Sequence, residues 1–240
     1  MLRGKIYGLI IAVLLTASVT SAERELKADS SEDQSIEALQ KRVTQNPKDL
    51  ELRYALGIAY NEQAMNDDEA ALDQAIKIFQ DIVKEDPNSV KAKAMLGSCT
   101  VMKAQHVSIF KKLDYVEDGY TILDQVVADK PNDPDLRLIR GVNAARSPGF
   151  LGRSDVAETD FEWLLADLKK TDNHYDDNYR RTIYFYVGDW FLEQRDSRCV
   201  ELLMKASKTP GAPRLTDDIK KSLKKAKKRF PSTYAALEKE

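Results

Sequence analysis

The sequence predicts an all-α fold: about four antiparallel helix pairs, preceded by half a pair and closed by one further helix. Three spacings carry that reading. Asn46-Pro47-Lys48-Asp49-Leu50, Asp86-Pro87-Asn88-Ser89-Val90 and Lys130-Pro131-Asn132-Asp133-Pro134 are three copies of one helix stop. Ten residues after the first proline of each copy comes a glycine, at Gly57, Gly97 and Gly141. Twelve residues before Pro87 and Pro131 stand small residues, Ala75 and Gly119, each followed four positions later by a large apolar one, Phe79 and Leu123. Ala157 and Phe161 repeat that spacing. Self-similarity at this scale marks stacked supersecondary units. Small residues let two helices approach closely, large ones fill the gap, and proline stops a helix.

Taken in order, residues 1–22 read as a secretory signal. Arg3 and Lys5 precede an apolar run from Ile6 to Val19, and Thr20-Ser21-Ala22 supply the small residues of a cleavage site. That run is shorter than the ~20 residues that span a bilayer as a helix, so cleavage is expected rather than a stable transmembrane anchor. Residues 23–34 are expected to be a mobile segment. A half repeat follows at 35–47, with Ile36, Leu39 and Val43 on one stripe. The repeats are expected over about 50–87, 90–131, 134–172 and 178–212, the last marked by Val187-Gly188 without a preceding proline. A capping helix is expected over 216–230, with Thr216-Asp217-Asp218 at its start and a basic end, and a tail over 234–240.

Composition limits the function. The 240 residues are 42% hydrophobic and 32% charged, with 37 basic against 39 acidic side chains, so the basic excess of a nucleic-acid binder is missing. Two histidines and two cysteines, His106, His174, Cys99 and Cys199, show no metal-ligand spacing. No cofactor and no metal are expected. Acidic pairs at Asp67-Asp68, Asp176-Asp177 and Asp217-Asp218 sit where carboxylates cap helices, and no nucleophile elbow or phosphate loop is present, so no catalytic residue is assigned.

Leu56, Gly57, Tyr60, Ala75, Phe79 and Pro87 resemble the tetratricopeptide repeat in pattern and order. The resemblance implies a right-handed α-solenoid that binds a protein or peptide in the groove lined by the first helix of each pair. Carried over position by position, the groove residues are Tyr54, Ile58, Asn61, Val101, Leu138, Val142, Phe185, Asp189 and Leu192. Most are apolar, which suits an amphipathic segment more than a charged terminus. With the signal, this gives a non-catalytic scaffold in the periplasm, or alternatively secreted.

The copies are stretched in one place. From the glycine to the small residue of the second helix a regular repeat counts 12 positions; here Gly57 to Ala75 is 18, Gly97 to Gly119 is 22 and Gly141 to Ala157 is 16. The extra residues all fall in the turn between the two helices, so they are expected to share one edge. One turn, Pro148-Gly149-Phe150-Leu151-Gly152, is similar to the helical-repeat periplasmic component of TRAP-type transporters. That similarity implies an alternative function as a small-solute accessory, with Pro148, Phe150 and Leu151 as its ligand loop. Nine basic and four acidic residues between Arg214 and Glu240 make the last helix a candidate for peripheral contact with an anionic surface or acidic partner.

Overall fold

The computed structural model describes residues 35–170 and 175–239. The expected signal, the segment 23–34 and His174 lie outside the described residues. Among the described residues there is no strand, and the fold is all-α, built of successive helix pairs. The chain divides into two compact units, Met1–Glu158 and Thr159–Glu240.

In the first unit, α1 (Ile36–Gln45) precedes the pair α2 (Leu50–Ala64) and α3 (Glu69–Glu85), the pair α4 (Val90–Lys103) and α5 (Ile109–Asp129), and α6 (Pro134–Ala145). Side-chain caps fix most of the starts. Asp49 Oδ1 accepts from Glu51 N and Leu52 N at 3.0 Å each, Asp68 Oδ1 from Ala71 N at 2.9 Å, and Asp133 Oδ1 from Asp135 N at 3.0 Å. Such caps satisfy backbone donors that the helix itself leaves open, and each contributes about 1 kcal/mol. Pro134 at the first turn of α6 loses no hydrogen bond by lacking an N–H.

Close helix approach rests on the small residues. A Cβ on Gly57 would stand 2.8 Å from the Phe79 ring, and one on Gly119 would stand 2.7 Å from the Gly97 carbonyl oxygen. The α4/α5 crossing is therefore a near contact of two backbones. Phe79, Leu72, Met95, Leu123, Leu136 and Leu138 fill the surrounding core.

The division between units falls inside α7 (Ser154–Lys170). In the second unit α8 (Asp177–Glu193) pairs with α9 (Arg198–Lys208), and α10 (Thr216–Arg229) packs on both. Asp176 caps α8 by accepting from Tyr179 N at 2.7 Å. Leu203 sits where a Cβ on Gly188 would approach to 3.0 Å, and Trp190 meets Phe161 edge-on at 5.6 Å. The apolar side of α10, Ile219 and Ala226, is buried, and its lysines face solvent. The expected tail is instead helical as far as Leu237: Pro231 at the first turn opens a short α11 (Pro231–Leu237) against α9 and α10.

Candidate functional site

Most of the expected groove residues prove to be interior. Ile58, Asn61, Val101, Leu138 and Val142 are buried in the first unit, and Phe185 and Leu192 in the second; Tyr54 and Asp189 are half-buried. The apolar spine is therefore packing surface, which corrects its assignment as an open groove lining. The reason lies in the neighbours. α4 packs on α3, α5 and α6 together, so a stripe that faces outward in a single pair faces another helix here. α8 is covered to a similar extent, with eleven of its seventeen residues buried.

Several polar groups in this interior bond one another, while among the described residues the Tyr54 hydroxyl and Asn61 Nδ2 are buried without a hydrogen-bond partner. Cys99 Sγ donates to Asn61 Oδ1 at 3.3 Å, and Asn143 Nδ2 donates to Ser98 Oγ at 3.0 Å and to Ile139 O at 2.9 Å. Burial, with smaller contributions from Asp135, Glu51 and Cys99, raises the pKa of the Tyr54 hydroxyl. Both thiols are free and buried. Burial pushes Cys99 up, and Cys199 up to about 11, so neither is a ready nucleophile.

Two groove residues border an open cleft. Asp189 and Leu192 line a cleft of about 660 Å³ in the second unit with Glu193, Arg195, Lys225, Lys228 and Arg229. One wall is the C-terminal turn of α8, the other the basic face of α10. Arg229 Nη1 donates to Leu192 O at 2.7 Å, placing a cation on the negative end of the α8 dipole. Ser222 Oγ donates to Asp189 Oδ1 at 2.5 Å, which occupies one of the two acids of the cleft. Arg195 takes a left-handed φ of 61°, and Asp196 N closes back on Phe191 O at 2.8 Å. This is the Schellman helix ending, with arginine where glycine is the usual choice. Four cations against two carboxylates give the cleft a positive field suited to an acidic chain segment.

The stretched turns of the first unit lie along one edge. His106 Nε2 is 3.8 Å from Asp67 Oδ1, which brings the first two turns together. The third is latched to α5: Arg153 donates to both oxygens of Asp124, at 3.0 and 2.8 Å, and its guanidinium lies 4.1 Å from the centre of the Tyr120 ring. Between latch and α6, Gly149–Leu151 forms a 3-10 turn that ends in Gly152 at φ 64°. Pro148 is exposed, Leu151 half-buried, and Phe150 is 87% exposed, so Phe150 does not line an enclosed ligand pocket. The acidic pairs behave as structural groups: Asp68 and Asp176 are caps, and Asp217 and Asp218 sit in the first turn of α10. Among the described residues, no three His, Cys, Asp or Glu side chains are grouped to hold a metal ion.

A tetratricopeptide repeat family model matches residues 29–110. Over that stretch the chain is similar to tetratricopeptide repeats. Beyond residue 110 the likeness is one of fold: over 80% of this chain and 88% of the other, the structure superposes on a thermophilic TPR protein of Thermus thermophilus with a TM-score of 0.61 at 18% identity. No curated protein matches the sequence significantly.

Of the cleft in the second unit, sequence reasoning found Asp189 and Leu192 but missed Arg195, Glu193 and the wall formed by α10. A signal for the wall was present in the basic surplus after Arg214. Nothing in the linear order shows that those lysines stand opposite the end of α8, two helices earlier in the chain.

Proposed function

We propose that this tetratricopeptide array is a non-catalytic scaffold of the cell envelope that captures an acidic peptide segment of a partner protein in the cleft between α8 and α10. The cleft carries the reading. It is a concave space of about 660 Å³ on the second unit, and Arg195, Lys225 and Lys228 are exposed around it. A peptide is the ligand class for which helical repeats offer extended surfaces, and the cations select for acid. Export follows from the n-region, apolar run and small residues of 1–22. No catalytic step is assigned, because the candidate nucleophiles are deep thiols and the acids are engaged in caps and ion pairs. The transporter-accessory alternative calls for a closed apolar pocket at Phe150 and Leu151, and the outward Phe150 speaks against it.

The test is fluorescence anisotropy of the full chain with a labelled peptide alternating Glu and Leu. Wild type is expected to bind more weakly as salt is raised, and Lys225→Glu/Lys228→Glu to weaken binding roughly tenfold or more, since each reversal turns an attraction into a repulsion. Equal binding by wild type and the double variant places the peptide elsewhere and defeats the assignment. Fractionation of cells by osmotic shock tests the location, with recovery in the cytoplasmic fraction as the contrary result.

A further inference from the structure

The cleft between α8 and α10 holds charge that the fold does not neutralise. Arg195, Lys225 and Lys228 are exposed around it, and among the described residues none of the three makes an ion pair. Other lysines after Thr216 do: Lys220 lies 3.8 Å from Asp217, Lys221 3.3 Å from Asp218 and Lys227 3.8 Å from Glu238. Of the two acids in the cleft, Asp189 is already engaged by the Ser222 hydroxyl at 2.5 Å. Cations gathered without counter-charges repel one another, so an anionic segment laid between them is stabilised from several sides. A concave space of about 660 Å³ admits such a segment and not a flat surface.

The chain's own sequence contains a candidate. Residues 23–34 carry five acids, Glu23, Glu25, Asp29, Glu32 and Asp33, against Arg24 and Lys27, and no further base follows Lys27 before α1. Their one large apolar side chain is Leu26, so charge is their main means of recognition. The other acidic runs are built into helix starts: Asp67-Asp68-Glu69 opens α3, Asp176-Asp177 opens α8, and Asp217-Asp218 lies in the first turn of α10. We infer that residues 23–34 of this chain are a ligand of the cleft, with the acids of Asp29, Glu32 and Asp33 matched to Arg195, Lys225 and Lys228. Resting on the acidic-peptide reading of the cleft, this gives the site a built-in competitor. An outside partner gains entry by displacing the segment, and its apparent affinity falls with the fraction of clefts already filled. The segment acts from whichever copy of the chain supplies it.

The experiment uses the full chain and two fluorescent peptides, the alternating Glu and Leu peptide and residues 23–34 with both ends blocked. Asp29→Asn/Glu32→Gln/Asp33→Asn removes three charges and no cleft residue, and is expected to bind the Glu/Leu peptide roughly threefold or more tightly than wild type. The 23–34 peptide is expected to bind this variant, more weakly as salt is raised, and to lose roughly tenfold or more when Lys225→Glu/Lys228→Glu is added. Equal affinity of wild type and the neutralised variant for the Glu/Leu peptide overturns the inference and leaves the cleft's function standing. So does binding of the 23–34 peptide that the lysine reversals leave unchanged, which places the segment elsewhere. Lysine-dependent binding of the 23–34 peptide, with none of the Glu/Leu peptide by any variant, upholds the segment and defeats capture of an outside partner. Binding of neither peptide defeats both.

Discussion

At the residue scale, Arg195 carries the most information. An L residue in the left-handed region costs about 1 kcal/mol relative to glycine, and nothing in the helix ending asks for a side chain there. Its guanidinium instead lines the basic cleft. Arg195→Gly is therefore expected to raise the stability of the protein by about 1 kcal/mol, measured by urea unfolding, while weakening capture of the acidic peptide. A variant that is no more stable, or that binds peptide as well as wild type, removes Arg195 from the site. Gly152 has a similar φ of 64° with open space around it, so there the glycine answers to backbone alone. Gly119 has an ordinary φ, and the neighbouring Val101 and Gly97 are what exclude a Cβ.

At the element scale, the turn between α6 and α7 shows how a loop rich in Pro and Gly is held in one shape. Tyr120 donates to Asn143 O at 2.8 Å and bonds the Ser147 hydroxyl, while Arg153 bridges to Asp124 and covers the Tyr120 ring. Arg140 reaches the same carboxylate at 3.3 Å. Arg153→Ala removes the outer half of this latch but leaves the buried tyrosine bond. An ion pair of this exposure contributes about 1 kcal/mol, so chymotrypsin is expected to cut after Phe150 roughly fivefold faster, with helicity unchanged. Mass spectrometry of the first fragments measures it, and an unchanged rate would show that the Tyr120 bond alone fixes the turn.

At the scale of the whole molecule, a net charge of −2 conceals a division. The segment from Arg214 to Glu240 has nine basic and four acidic residues, and the rest of the chain carries the acidic surplus. The tertiary structure gives that segment two tasks. Ile219 and Ala226 cover α8 and α9, as a terminal repeat must cover the last exposed core, and the lysines on the other side wall the cleft. A chain ended at Lys208 is expected to show both losses: a lower Tm with binding of an apolar dye, and no capture of the acidic peptide. A truncated protein that keeps its Tm would contradict the capping role. One that keeps peptide binding would contradict the cleft.

Much of the fold is legible in the sequence because it rests on local or periodic signals. Asx-Pro stops, aspartate caps and glycine spacing each act within one or two turns of helix, and their recurrence identifies the repeat. The Gly97/Gly119 approach could be read in advance because a missing side chain at a fixed position has one structural use in such a pair. The binding surface is not local in this way. One residue of register turns a helical side chain by about 100°, so whether Ile58 or Phe185 meets solvent depends on how many helices surround its own. The order of residues alone thus sets the repeated helix pairs, their stops and their points of closest approach. Folding in three dimensions was needed to put the apolar spine inside, to turn Arg195 toward the lysines of α10, and to leave Phe110 and Phe150 in solvent. Each of those outcomes is set by contacts between elements far apart in the chain, for which a linear pattern holds no distance.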